Sequence, residues 1–153
     1  MTGAQQFQWS VLRFSELDTR LFHDVLRLRV DVFVVEQNCP YPELDGLDLD
    51  ALHIVGRDAN GAVAAYARIL PPQADGVPHI GRVVVAMEQR RNHVGKRLME
   101  VTLDALEQQY GSKRSALAAQ AHLQKFYAEL GYVTTGAEYM LDGIPHVDMV
   151  LHR

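Results

Sequence analysis

"IGRVVVAMEQRRNHVGKRLMEVTL" (residues 80–103) passes from a β-branched run to an amphipathic helix through a basic loop. Ile80 to Ala86 predict a strand. Val94, Leu98, Val101 and, just beyond, Ala105 fall on one face of the helix that follows. Between them Arg90, Arg91, Lys96 and Arg97 place four cations within eight residues around Gly95. A strand that ends in a short loop aims the first turn of the next helix beyond the strand's carboxyl end. The first four N–H groups of that helix lack an intrahelical acceptor, and the helix dipole makes the site locally positive. Cations there oppose the dipole unless an anion is bound, and Gly95 allows a close backbone approach. The alternative is a solvated basic helix start.

The charge is local, because the whole chain is acidic, with 15 Lys+Arg against 19 Asp+Glu. A net charge of −4 argues against a general nucleic-acid binder, which carries a basic surplus. At 153 residues, 48% of them hydrophobic, the chain 1–153 is expected to form a single domain with a substantial core. No apolar run reaches the ~18 residues of a membrane span, and "MTGAQQFQWSVLRF" lacks the layout of a secretory leader. The single cysteine, Cys39, has no internal disulfide partner and reads as a small, half-buried residue before Pro40. A cytoplasmic location is therefore expected.

The remaining elements follow from periodicity and punctuation. "QWSVLRF" (8–14) predicts a first strand, and Asp18 or Thr19 caps a helix with Leu21, Phe22, Val25, Leu28 and Val32 at helical spacing. "CPYPELDGLDLD" (39–50) reads as a loop. "LHIVGR" (52–57) and "AVAAYARIL" (62–70) flank the turn "DANG" as a hairpin. "SALAAQA" (115–121) predicts a short buried strand, leading into a helix with Leu123, Phe126, Tyr127 and Leu130 in one stripe and Gly131 as its stop. The tail supplies two more strands around Asp142–Gly143. The order β-α-β-β-β-α-β-α-β-β predicts an α/β (α+β) fold, a mixed central sheet of about six to seven strands flanked by helices.

The anion pattern excludes two common sites. A P-loop requires Gly-x4-Gly-Lys-[Ser/Thr], whereas Arg90 and Arg97 stand at its ends, leaving no hydroxyl for magnesium. Arg90 and Asn92 occupy glycine positions of a dinucleotide fingerprint. What remains, Val83-x-Val85-x4-Arg90-x-x-His93-x-Gly95-x-x-Leu98, resembles the acetyl-CoA motif of the GNAT superfamily of acyltransferases, with His93 and Arg91 standing at common glycine positions. Downstream, Gln120 stands where that family has Asn, Tyr127 follows seven residues later, and Gly131-Tyr132 closes the helix. "RVDVFVVEQNCPYPELDGLDLDALHIVG", "AYARIL", "AAQAHLQKFY" and "DGIPHVDM" are similar to the ElaA family within it. The resemblance spans nearly the whole chain.

The resemblance implies an acetyl-CoA-dependent N-acetyltransferase in which an amine attacks the thioester directly. It implies that Val83, Val84 and Val85 meet the pantetheine arm and polarise the acyl carbonyl. It implies that Arg90, Arg91, Asn92, His93, Val94, Gly95 and Lys96 hold the pyrophosphate, with Gln120 beside the donor. Tyr127 matches the general acid that protonates the leaving thiolate, although its apolar stripe also reads as core. Glu36 is a candidate general base, and His53, His79, His122 and His146 are others. If His93 needs positive φ, it tolerates that better than most residues. The acids Glu43, Asp45, Asp48 and Asp50 read either as a solvated loop or as an attractor for a cationic amine. Seven histidines without His-Glu-x-x-His or a Cys partner predict no metal site. The expected partners are a small-molecule or peptide amine and no nucleic acid or membrane, with a homodimer left open. The competing function is a GNAT-like module that binds acyl-CoA as a sensor or docking domain without turnover.

Overall fold

A computed structural model describes residues 6–153. The strands are β1 (Gln8–Arg13), β2 (Leu52–Arg57), β3 (Val63–Leu70), β4 (His79–Val85), β5 (Arg114–Gln120), β6 (Val133–Thr134), β7 (Tyr139–Leu141) and β8 (Ile144–His152). The helices are α1 (Thr19–Val30), α2 (Val94–Tyr110) and α3 (Gln124–Glu129). All eight strands join one mixed sheet in the order β1-β2-β3-β4-β5-β8-β6, with β7 also on β8. The α/β reading holds. The tail carries three strands where two were expected, because β6 is a two-residue strand that periodicity does not register.

The core lies where α1 and α2 pack on β3. Residues Ala64 to Ile69 are all buried, so β3 is covered on both faces and its run is apolar but for Arg68. Asp18 caps α1, its Oδ1 accepting from Leu21 N–H at 2.7 Å. Leu21, Val25 and Leu28 turn inward as their spacing predicts. The helix then widens into a π-helical turn over Asp31–Glu36, which keeps Val32 buried and leaves Val35 exposed. The last helix is shorter than expected: Ala121–Leu123 form a 3₁₀ turn, so Leu123 leaves the stripe and is exposed. Tyr127 alone of that stripe is fully enclosed, with Phe126 and Leu130 half-buried.

Candidate active site

The sheet opens in its middle. Strands β4 and β5 run parallel and pair only at His79 and Ala116, then diverge toward their carboxyl ends. Strand β4 bends there: Arg82 has φ +51°, and Arg82 and Val83 together face Ala67 alone, a β-bulge. The gap is a cavity of about 380 Å³, with Val83, Val84 and Val85 on one wall and Leu117 and Gln120 on the other. Unpaired strand edges facing such a gap suit an extended amide-bearing chain.

Beyond Val85 a 3₁₀ turn (Met87–Gln89) leads to the start of α2. Arg91 (φ +70°) and His93 (φ +60°) are both left-handed, the conformation that glycine adopts at lowest cost. The first intrahelical bond of α2 runs from Arg97 N–H to His93 O, so the amides of Val94, Gly95 and Lys96 precede the ladder. No side chain caps this helix, in contrast to α1. A second cavity of about 400 Å³ runs over these amides, with Arg91, His93 and Lys96 on its wall. Val85, Arg90, Gly95 and Phe126 line both cavities, so the two are contiguous. An added Cβ on Gly95 would lie 3.5 Å from the Phe126 ring, an ordinary contact. Packing therefore does not demand glycine there, and the open space above it faces the ligand path. The uncapped amides, their cationic surround and this open position fit an acyl-CoA pyrophosphate. Asn92 is exposed and lines neither cavity, and Val94 is buried against the core.

Three side chains predicted for chemistry meet in the first cavity. Tyr127 is 5% exposed, and burial pushes its phenol well above the ordinary tyrosine range. Gln120 exchanges hydrogen bonds with Gln37 at 3.2 Å in both directions. Glu36 is gripped by Arg90 through two bonds of 2.8 and 3.0 Å, while Arg90 Nε donates to Val85 O at 3.0 Å. Arg90 thus straps the end of the α1 segment to the end of β4, in a bidentate geometry that fixes both groups.

The acidic segment corrects the expectation of either a solvated loop or an amine attractor. Glu43 and Asp48 are buried. Arg29, which is fully buried, lies 2.8 Å from Asp48, and Arg68 bonds both Asp45 and Asp48. Arg82 Nε sits 2.7 Å from Glu43 Oε2, an ion pair without hydrogen-bond alignment, and its NH2 donates to Glu43 O at 3.0 Å. Three arginines offset three acids, so this cluster has no net field to attract a cation. The hydrogen bond from Arg68 holds Asp45 far below the usual carboxylate range. Burial alone would raise Asp48, but Arg29 and Arg68 together outweigh it and hold it low. Sequence reading missed the three arginines. The one available signal was Arg29, a charge next to Leu28 on an otherwise apolar stripe.

The histidine candidates separate cleanly. His53 is fully buried between Tyr66 Oη (2.6 Å) and Asp48 O (2.9 Å), and burial lowers its pKa. His79 pairs with Asp75 at the surface, outside both cavities. His122 and His146 line the first cavity, as does Cys39, whose thiol donates to Asp142 O at 3.3 Å. Among the described residues no group of three or more His, Cys, Asp or Glu side chains is placed to hold a metal, and no helix is long and apolar enough to cross a membrane.

A gap between two parallel strands, continuous with an uncapped helix start, defines an acyl-CoA binding fold, and the acetyltransferase (GNAT) domain model matches residues 33–153. The chain belongs to the GNAT acetyltransferase family. Within it, the chain is 45% identical over 145 residues to protein ElaA of Escherichia coli, covering 93% of this chain and 94% of that protein. The crystal structure of E. coli ElaA superimposes with a TM-score of 0.87, covering 95% of this chain and 99% of that one. An acyl-CoA N-acyltransferase from Pseudomonas aeruginosa superimposes with a TM-score of 0.89 at 39% identity, over 95% and 99% of the two chains. The ElaA resemblance read from the sequence is borne out.

Proposed function

We propose that the chain works as one domain, in the cytoplasm, as an acetyl-CoA-dependent N-acetyltransferase acting on a small-molecule or peptide amine. The observation that carries this reading is the continuous channel from the uncapped amides of α2 to the Tyr127 side chain. The amides of Val94 to Lys96, with Arg91, His93 and Lys96 around them, hold the pyrophosphate. The free edge of β4 from Val83 to Val85 aligns the acyl arm, and a bulge amide polarises the thioester carbonyl. Tyr127 remains protonated throughout the working range, so it donates to the departing sulfur. Glu36 and Arg90, which line the same cavity, satisfy each other.

Thiol release from acetyl-CoA across an amine panel, with a no-amine control, tests the reading. Amine-dependent release is expected. Tight acetyl-CoA binding without release over any amine would overturn it in favour of a sensor. Tyr127→Phe is expected to lower kcat by about 10²-fold or more with little change in acetyl-CoA affinity. Unchanged kcat removes Tyr127 from the chemistry.

A further inference from the structure

At neutral pH an alkylamine arrives as an ammonium, so an N-acyltransferase needs a proton acceptor on the acceptor side of its cavity. Three candidate proton acceptors line the cavity: the exposed His122 on the α3 side, and Glu36 and His146 between the Phe33–Tyr41 segment and the β7–β8 hairpin. Glu36 has both carboxylate oxygens committed to Arg90. His146 is 9% exposed and belongs to the cavity wall. Its Nδ1 lies 2.7 Å from Ile144 O, and a carbonyl only accepts, so Nδ1 carries the hydrogen. In the neutral ring the other nitrogen, Nε2, is then the acceptor, and no hydrogen bond from a described residue occupies it. The ring is held in place by Tyr139, its β7 partner in register, which stacks on it at 6.2 Å and 28°. On its other side the register partner is Gln120 of β5.

We propose that His146 Nε2 is the general base that deprotonates the attacking amine. This assignment rests on the acyltransferase reading above. One proton passes from the ammonium to Nε2 and on to solvent. The freed nitrogen pair forms the C–N bond as the carbonyl pair moves to oxygen. The C–S bond then breaks, sulfur takes the Tyr127 proton, and the second proton lost by nitrogen restores Tyr127. The products are the amide, the free thiol and one proton.

The groups around His146 leave its role intact. Tyr139 on β7 is pushed up to about 12 by burial and by its bond to Asp148 of β8 (2.6 Å), so it stays neutral and satisfies that carboxylate. The hairpin tip contributes Asp142, whose carbonyl takes the Cys39 thiol, and Tyr41 hydrogen-bonds Glu43. Arg82 across the cavity is offset by Glu43 and Asp45. His122 and Tyr127 complete the wall from the α3 side.

Two acceptors test the assignment: benzylamine, an ammonium at pH 7, and benzhydrazide, which is already neutral there. His146→Asn can keep the donor to Ile144 O while removing the base. It is expected to lose about 10²–10⁴-fold in kcat/KM with benzylamine but less than about tenfold with benzhydrazide. Its benzylamine rate should rise with pH until the ammonium itself is fully deprotonated. Equal losses on both acceptors, or no loss, would overturn the assignment while wild-type turnover keeps the acyltransferase reading. Where another ammonium of the amine panel turns over in place of benzylamine, it takes that arm of the test; absence of wild-type thiol release over the whole panel would overturn the two together. If His146→Asn does not fold, ¹⁵N NMR of the wild-type imidazole decides: an Nδ1–H tautomer supports the base, and an Nε2–H tautomer overturns it.

Discussion

Arg91 and His93 take the backbone conformation usual for glycine, and they do so where their side chains border the anion path. Each non-glycine left-handed residue costs roughly 1 kcal/mol, less for histidine than for most. The pair therefore exchanges conformational ease for two cationic or hydrogen-bonding side chains beside the proposed pyrophosphate site. Both were legible as departures from glycine, and positive φ was anticipated at His93 alone. Gly95 has the opposite character. It is not among the left-handed residues, and alanine fits its surroundings. Gly95→Ala is thus expected to leave Tm unchanged or raised, since alanine is favoured over glycine by about 1 kcal/mol in a helix. The same change should weaken acetyl-CoA binding by about tenfold, the loss of one charge-assisted hydrogen bond. Thermal unfolding and calorimetric titration on one preparation check both halves.

The segment 39–50 shows where sequence reading stops. Strands β2 to β5 and helices α1 and α2 announce themselves through periodicity, because burial repeats with the geometry of the backbone. An ionic cluster has no period. Arg29 and Asp48 are 19 positions apart, and Arg82 and Glu43 39 apart, so only the folded chain reveals that they neutralise each other. Without that pairing the same acids read as a free negative surface. The candidate site divides the same way: the loop and Tyr127 were legible as a motif, whereas the Glu36–Arg90 pair depends on two segments meeting. Asp48→Asn leaves Arg29 and Arg68 short of a buried counter-charge and is expected to destabilise the fold by about 3–5 kcal/mol. Asp50→Asn, at an exposed position, should change stability by less than about 0.5 kcal/mol. Urea unfolding of both variants separates the two.

The whole molecule carries its acid response in these buried groups. His53 has a lowered pKa and is neutral when folded, so the unfolded chain takes up its proton first. That contribution is complete above the ordinary imidazole value of about 6.5 and declines as pH falls below it. Asp45 and Asp48 are held low, so their contribution is complete above the ordinary carboxyl value of about 3.9 and is lost only as pH falls through their folded values. Tm measured against pH is expected to decline in two stages, the first beginning near pH 6.5 and the second near 3.9. The split between β4 and β5 adds a dependence of another kind. With one residue pair joining them, β1–β4 and β5–β8 are two half-sheets hinged at a single point. In the proposed binding mode an extended acyl-CoA arm would supply the hydrogen bonds of the missing rungs and so complete the sheet as well as feed the reaction. On that proposal, donor supply would set how firmly the protein stays folded: at a hundredfold excess over Kd, the linkage adds about 2.7 kcal/mol. A cell short of acyl-CoA would hold a less durable copy of the same chain.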